Sequence, residues 1–163
     1  MGKFVNETEH GKMKYTTEIV IRMPRARVTE LFLNTRNLKY WQPGLKSFEH
    51  LEGNQGEEGA RSKLVYAGRK SDLVITETIT SNRLPEQIDM SYKSRGVYNV
   101  VENHFTEQEP EVTLWRTENH FRFGGVMMLM VPFMKQAFIH NTLLNMDRFK
   151  VYAENPETTV PDR

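Results

Sequence analysis

The 163-residue sequence predicts one α+β domain in which a seven-stranded antiparallel sheet packs against a long C-terminal helix. Three observations support this prediction. Short strand-like segments separated by turn residues fill the middle of the chain, at the spacing of about 8 to 12 residues that antiparallel sheets show. Two short helical segments precede most of them, and a long amphipathic segment follows them. Because a sheet and a helix that each carry one apolar face bury those faces against one another, this order favours an α+β fold.

The first strand and the first helices are separated by a proline. Residues 15–21 alternate between apolar and polar side chains, which predicts a strand with one buried face. Pro24 ends this strand and suits the first turn of a helix, where its missing N–H costs nothing. Val28 and Leu31 then fall on one helical face. A second short helix is expected over residues 37–41, before a Pro-Gly turn.

Six more strands follow this turn. They are predicted at residues 45–51, 61–67, 73–80, 87–93, 97–106 and 112–123. The glycine-rich loop between the first two resembles a phosphate cradle only superficially, because Glu52, Glu57 and Glu58 would repel phosphate and no Lys-Ser or Lys-Thr follows it. We interpret it as a hairpin tip, where glycine supplies the turn geometry.

The last helix has two different halves. Its second half has a helical period that places six mostly apolar residues on one face, namely Phe138, Ile139, Thr142, Leu143, Met146 and Phe149. Its start, residues 126–134, is apolar all round, so something must cover both sides of it. One interpretation is a core element between sheet and loops, and the other is a Met-rich, adaptable pocket mouth near Pro132.

Composition excludes several classes of function. The 22 basic and 21 acidic residues leave a formal net charge of +1 without a block of like charge, so nucleic acid is not expected as a partner. With no cysteine and no helical His pair, we expect no metal and no cofactor. The most apolar stretch is too short to span a membrane, and the absence of a signal core predicts a cytoplasmic protein. The domain is expected over residues 13–154, with loose termini at 1–12 and 155–163.

Cross-strand pairing predicts which side chains of the last hairpin lie on the inner face of the sheet. With Glu109-Pro110 as its tip, Phe105 lies opposite Leu114 on a solvated face. The interior face then collects Tyr98, Val100, Glu102 and His104 from one strand, and Trp115, Thr117, Asn119, Phe121 and Phe123 from its neighbour. Shifting the register by one residue would expose the aromatics of the second strand.

Glu102, His104 and Asn119 thus become candidate polar groups at the base of an apolar pocket. They could orient a ligand or move a proton to or from a carbonyl-bearing substrate. They could equally pair with each other and with Thr117 as a structural network. The same pairing places His104 inside and His120 outside, so a metal shared by these two histidines is not expected.

Several segments together resemble the START/Bet v 1-like superfamily, particularly its polyketide cyclase/dehydrase-like bacterial branch. They are residues 19–24, Val28, Leu31-Phe32, residues 37–43, the Gly53/Gly56/Gly59 loop, the strand at 112–115 and the long last helix. The resemblance implies a helix-grip fold, in which a seven-stranded sheet curls around the C-terminal helix and encloses a hydrophobic cavity. Members similar to this chain include lipid and hormone carriers, aromatic-polyketide cyclases, ubiquinone-binding proteins and chaperone activators.

Three functional hypotheses follow. The first is a carrier or sensor that binds a small hydrophobic or aromatic molecule in the internal cavity. The second is a cyclase or dehydratase in which His104 is the general acid or base and Glu102 orients it. The third is a chaperone-activator-like protein-interaction domain. The predicted ligand-binding residues are Trp41, Tyr66, Tyr92, Tyr98, Glu102, His104, Trp115, Asn119, Phe121, Met127, Met130, Met134 and Phe138. A homodimer through a sheet edge or the Met-rich helix start is left open.

Overall fold

The computed structural model describes residues 6–9 and 11–155 of the chain. The strands of this part are β1 (Asn6–Glu9), β2 (Lys12–Ile21), β3 (Leu45–Glu52), β4 (Arg61–Tyr66), β5 (Leu73–Arg83), β6 (Gln87–Ser94), β7 (Val97–Glu109) and β8 (Val112–Phe123). The helices are α1 (Arg25–Leu33), α2 (Leu38–Trp41), which follows a 3-10 turn at Thr35–Asn37, and α3 (Met127–Glu154).

All the strands belong to one antiparallel sheet, in the order β1-β2-β8-β7-β6-β5-β4-β3. The seven predicted strands, the two short helices after the first of them and the long C-terminal helix packed on the sheet confirm the predicted helix-grip α+β fold. The prediction was wrong about Asn6–Glu9, because this part of the expected loose terminus forms an edge strand on β2. Most of the remaining terminal residues of that prediction lie outside the described residues, and the domain limits of 13–154 stay a prediction.

Strand β2 joins the sheet to α3. Its alternating pattern buries Tyr15, Thr17 and Ile21 on the inner face, as the sequence predicts. The Tyr15 hydroxyl lies 2.8 Å from Thr142 Oγ1 and donates to the Phe138 carbonyl oxygen at 3.3 Å. A buried hydroxyl with partners on α3 fixes the position of the helix along the sheet.

The interior contains two apolar clusters along α3. Around its second half, Phe149 is fully buried and meets Phe32, Trp41 and Trp115 edge-to-face, with ring centroids 5.2–6.0 Å apart. Around its first half, Phe121 and Phe123 from β8 stack on each other beneath the helix, with ring centroids 5.6 Å apart. Aromatic pairs in these geometries add to the stability that burial of the rings supplies.

The predicted register of the last hairpin was wrong by one residue. Its two-residue turn is formed by Pro110 and Glu111, so Glu109 pairs with Val112. Gln108 is then an extra residue in β7, a β-bulge that shifts the remaining pairs. As a result Phe105 lies opposite Trp115 on the inner face, where the two rings stack with centroids 5.9 Å apart.

This shift inverts the whole of β7 while leaving β8 as predicted. The inner face of β7 carries Asn99, Val101, Asn103 and Phe105, and its outer face carries Tyr98, Val100, Glu102 and His104. The observed facing buries the large apolar ring of Phe105 and leaves two ionisable side chains accessible to water. Burying them without partners would cost free energy, which is the physical reason for the correction.

Candidate functional site

Two adjoining cavities lie between the sheet, α1, α2 and α3. The larger has a volume of about 170 Å³ and the smaller of about 40 Å³. Phe32, Trp41, Gln42 and Tyr92 line both of them, so the cavities adjoin. The larger cavity is also lined by Tyr66, Val101, Asn103, Trp115, Thr117, Asn119, Thr142, Asn145 and Met146. Aromatic walls with a few polar groups are typical of small-molecule sites.

Trp41 presents an unused hydrogen-bond donor at this site. Helix α2 places the indole in the wall of both cavities, where Phe32 stacks on it with ring centroids 5.8 Å apart. Its Nε1 atom is buried and has no hydrogen-bond partner among the described residues. A buried N–H without an acceptor is costly, so this position favours a guest that supplies an acceptor oxygen.

Glu77 lines the smaller cavity and lies beside Tyr92. The two residues face each other across β5 and β6, and the Tyr92 hydroxyl donates to Met90 Sδ at 3.1 Å. Burial raises the pKa of Glu77 to about 7, although the neighbouring Tyr92 hydroxyl lowers it. Among the described residues no Lys, Arg or His forms an ion pair with Glu77. A carboxyl group with this pKa can hold or release a proton near neutral pH.

Two tyrosines complete the polar side of the site. Tyr66 donates a hydrogen bond to Gln42 Oε1 and thereby ties β4 to the segment after α2. Burial raises the pKa of both Tyr66 and Tyr92, and the negative charge of Glu77 raises them further. Both phenols therefore stay protonated at neutral pH and act as hydrogen-bond donors.

Most asparagines of the inner face form hydrogen bonds with other side chains of the protein. Asn103 Oδ1 accepts a bond from Trp115 Nε1 at 3.1 Å, and Asn119 bonds to Thr117 and Asn99. Asn145 of α3, by contrast, forms no side-chain hydrogen bond among the described residues and lines the larger cavity. Its amide is therefore available to a guest, together with the indole N–H of Trp41.

The structure separates the predicted ligand-binding residues into three groups. Trp41, Tyr66, Tyr92, Trp115 and Asn119 line the larger cavity. Phe121, Met127 and Phe138 pack in the apolar cluster under the start of α3, and Met134 is half-buried on the same helix. Tyr98, Glu102 and His104 lie on the outer face of the sheet, and Met130 is 44% exposed on α3.

Glu102 and His104 therefore cannot serve the internal cavity, and the acid–base role predicted for them there is withdrawn. On the outer face Glu102 lies between two histidines, 3.7 Å from His104 Nε2 and 3.5 Å from His120 Nε2. His104 and His120 lie on the same, outer face of the sheet, so the prediction that they face opposite ways was wrong. Within the described residues no group of three His, Asp or Glu side chains is placed to hold a metal ion.

Sequence reasoning missed Glu77, although a signal was present. Ile75, Glu77 and Ile79 follow each other at a spacing of two residues, which places the carboxylate on the apolar face of its strand. The contributions of Phe32 and Asn145 were also missed. They depend on how α1 and α3 cross the sheet, which strand and helix periodicity do not reveal.

Comparisons with known proteins agree with this fold. No protein-family model matches the chain, and no curated protein sequence matches it significantly. Among solved structures, the chain is similar to the Zhui aromatase/cyclase from Streptomyces sp. R1128, with TM-score 0.74 and 13% identity over 93% of this chain and 99% of that one. It is also similar to Ara h 8.0201, with TM-score 0.67 and 13% identity over 88% and 98% of the two chains.

A protein of unknown function from Staphylococcus aureus, SA2116, is a further similar structure. Its TM-score is 0.70 at 18% identity, over 94% of this chain and 98% of that one. These likenesses show the fold alone, and it is the helix-grip fold that the resemblance implies. The class that fold and cavity define is therefore that of helix-grip proteins with an internal cavity. Among the described residues, no helix is long and apolar enough to cross a bilayer.

Proposed function

We propose that this protein binds a small aromatic or apolar molecule that carries an acceptor oxygen, with the oxygen against Trp41 and Asn145. The observation that carries the proposal is the buried Nε1–H of Trp41, which has no hydrogen-bond partner among the described residues and belongs to a residue that lines both cavities. An apolar ring between Phe32, Trp115 and Met146 would gain burial, while its oxygen would accept the free indole proton.

The cavity volume limits the size of this ligand. A cavity of about 150 Å³ in another protein is known to hold one benzene molecule. The larger cavity here has about 170 Å³, so a phenol- or naphthol-sized molecule fits the ligand class. Carriage of such a molecule in the cytoplasm remains the sequence-based prediction for the cellular role.

The test is a calorimetric titration of the protein with 2-naphthol as the probe. Asn145→Trp fills the cavity from α3 and should weaken binding at least about tenfold, because the ring and the new indole compete for one volume. Asn141→Trp is the matched control, since Asn141 is exposed on the same helix. The control should bind like the parent protein. Equal affinity of the two variants for 2-naphthol would refute binding in this cavity.

The oxygen contact has its own test. Naphthalene lacks the hydroxyl oxygen and should bind the parent protein less tightly than 2-naphthol. Trp41→Phe removes the indole N–H but keeps an aromatic ring, so it should reduce the difference between the two probes. If this variant preferred 2-naphthol over naphthalene as strongly as the parent protein does, Trp41 would not be the donor to the hydroxyl oxygen.

A second candidate function is supported by Glu77. A carboxyl group with a pKa of about 7 beside Tyr92 is poised for proton transfer at neutral pH. We infer that it could dehydrate a β-hydroxy carbonyl compound. The carboxylate takes the proton from the carbon next to the carbonyl group, a C=C bond forms, and the hydroxyl leaves as water with that proton. The aromatase/cyclase among the similar structures supports this alternative.

Glu77→Gln distinguishes the enzyme from the carrier. The amide keeps the shape of the side chain but cannot accept the proton, so turnover of a β-hydroxy ketone should fall about 10²- to 10⁴-fold. Binding of 2-naphthol should persist in this variant. Equal turnover in the variant and the parent protein would eliminate Glu77 as the acid–base group, while leaving the binding proposal intact.

A further inference from the structure

The smaller cavity contains a row of polar side chains that crosses four strands. His50 of β3 pairs with Ser62 of β4, Ser62 pairs with Glu77 of β5, and Glu77 pairs with Tyr92 of β6. Directly opposed residues of antiparallel strands share a face, so the four side chains lie side by side, and all four line the smaller cavity. Glu77 therefore has a hydroxyl-bearing neighbour on each side, Ser62 and Tyr92.

Glu77 is the one carboxyl group among the described residues that line the two cavities. None of these lining residues is a Lys or an Arg. His50, at the exposed end of the row, lies 2.9 Å from the Gly53 carbonyl oxygen through its Nε2 atom and forms no ion pair with Glu77. A carboxylate without a cation beside it is costly to charge in a buried cavity, which is why burial raises the pKa of Glu77.

The hydroxyl oxygens beside Glu77 can accept hydrogen bonds from a guest. Ser62 is buried, and its hydroxyl forms no side-chain hydrogen bond among the described residues. The Tyr92 hydroxyl donates its proton to Met90 Sδ at 3.1 Å, so its oxygen keeps lone pairs for a donor. With the carboxylate, the row offers three acceptors in succession. A primary ammonium group carries three N–H donors and no acceptor, so it matches this set.

Four aromatic rings line the same cavity. They belong to Phe32, Trp41, Phe48 and Tyr92, and the first two stack with ring centroids 5.8 Å apart. The face of an aromatic ring attracts a cation, and groups of such rings bind ammonium ligands in other proteins. The aromatic lining therefore favours the same guest as the carboxylate does.

The two volumes divide such a guest between the cavities. The smaller cavity has about 40 Å³, whereas one water needs about 10–15 Å³, so a head group fits there and a ring does not. The larger cavity has about 170 Å³ and holds the ring. Because Trp41 and Tyr92 line both cavities, a short link joins the ring to a head group at Glu77.

We propose that the ligand of the internal cavity is an arylalkyl amine, with its aromatic ring in the larger cavity and its ammonium group bound by Glu77, Ser62 and Tyr92. This inference rests on the proposed binding function and names the ligand class more closely. The acceptor oxygen proposed for the ligand stays on the ring, against Trp41. Glu77 is then a binding residue, in place of the acid–base role of the second candidate function.

Calorimetric titration with two probes of one shape tests the ammonium contact. 2-(Aminomethyl)naphthalene carries an ammonium group, and 2-(hydroxymethyl)naphthalene has a neutral hydroxyl in the same place. At pH 7 the amine should bind the parent protein at least about tenfold more tightly than the alcohol, because buried hydrogen bonds between charged groups are stronger than neutral ones. Glu77→Gln should reduce this preference to less than about threefold. Glu107→Gln is the matched control and should keep the preference, since Glu107 is exposed and lines neither cavity.

Proton release on binding is the second readout. An ammonium group beside Glu77 lowers the pKa of the carboxyl group, so titrations in phosphate and in Tris at pH 7 should show about half a proton released per amine bound. The other titratable groups that face Glu77 are Tyr92, Tyr66 and His50. Both phenols stay protonated at pH 7. A release that persisted in Glu77→Gln would therefore come from His50 and contradict the proposal.

The ammonium site and the proposed binding function fail in different ways. The ammonium site is overturned if the amine binds no more tightly than the alcohol, or if its preference persists in Glu77→Gln. The binding function still stands in that case if Asn145→Trp weakens binding of the alcohol and of 2-naphthol. If none of the three probes binds, both proposals are overturned. Circular dichroism verifies that each variant is folded, and the comparison of the two probes on the parent protein needs no variant.

Discussion

Glu77 shows how one residue can make stability depend on pH. Its pKa is raised by burial from an ordinary 4.5 to about 7, so the folded protein binds this proton more tightly than the unfolded chain. A carboxyl group with a raised pKa stabilises the fold fully below the unfolded value. That contribution falls as pH rises from about 4.5 and is lost above about 7.

Glu77→Gln should therefore flatten the pH profile of stability. We expect the free energy of unfolding of the parent protein to fall by about 2–3 kcal/mol more than that of the variant between pH 5 and pH 8. Urea titrations at the two pH values measure this difference. Glu107→Gln is the control, because Glu107 is exposed and forms no ion pair among the described residues, and it should follow the parent protein. If the free energy of unfolding changed with pH in the same way in Glu77→Gln and in the parent protein, the raised pKa of Glu77 would be contradicted.

At the scale of elements, the β7–β8 hairpin shows how one extra residue sets the facing of a strand. Gln108 bulges out between the Glu107–Thr113 and Glu109–Val112 pairs. Deleting Gln108 should make the ladder continuous without moving Phe105 from the inner face. The expected change in the free energy of unfolding is less than about 1 kcal/mol, measured by urea titration.

Deletion of Val101 is the matched comparison within the same strand. It removes a residue from the regular ladder, so the part of β7 on one side of the gap must turn its side chains to the opposite face. Asn99 would then lose its bond to Asn119, and the loss of stability should exceed about 3 kcal/mol. If both deletions cost the same, the bulge does not control the register.

At the scale of the whole molecule, α3 connects the core to the surface. Phe149 is fully buried among the rings of Phe32, Trp41 and Trp115, whereas Phe133 on the same helix is 81% exposed. Phe149→Ala should therefore lower the free energy of unfolding by about 3–5 kcal/mol. Phe133→Ala should change it by less than about 0.5 kcal/mol. Thermal unfolding of both variants checks this, and a large loss at Phe133 would mean that its face of the helix is covered in the free protein.

The distribution of the cavity residues explains how far sequence reasoning reaches. Trp41, Tyr66 and Tyr92 were among the ligand-binding residues predicted from the sequence, and all three line the larger cavity. Glu77 could have been found from its two flanking isoleucines. Asn145 could not, because which residue of a 28-residue helix faces a cavity depends on where that helix crosses the sheet.

The sequence by itself determined the order and nature of the elements from β2 onward, since helix and strand periodicity, proline and glycine act locally on the backbone. It also determined the apolar stripe of α3 and the inner face of β8, because each is a regular repeat of buried side chains. Only the tertiary structure decided which face of β7 points inward. A bulge at Gln108 changes no pattern within the strand, yet it inverts every residue before it. The site around Trp41 and Glu77 was likewise decided only by the tertiary structure. Its residues lie far apart in the chain, and they meet because of the way the elements pack.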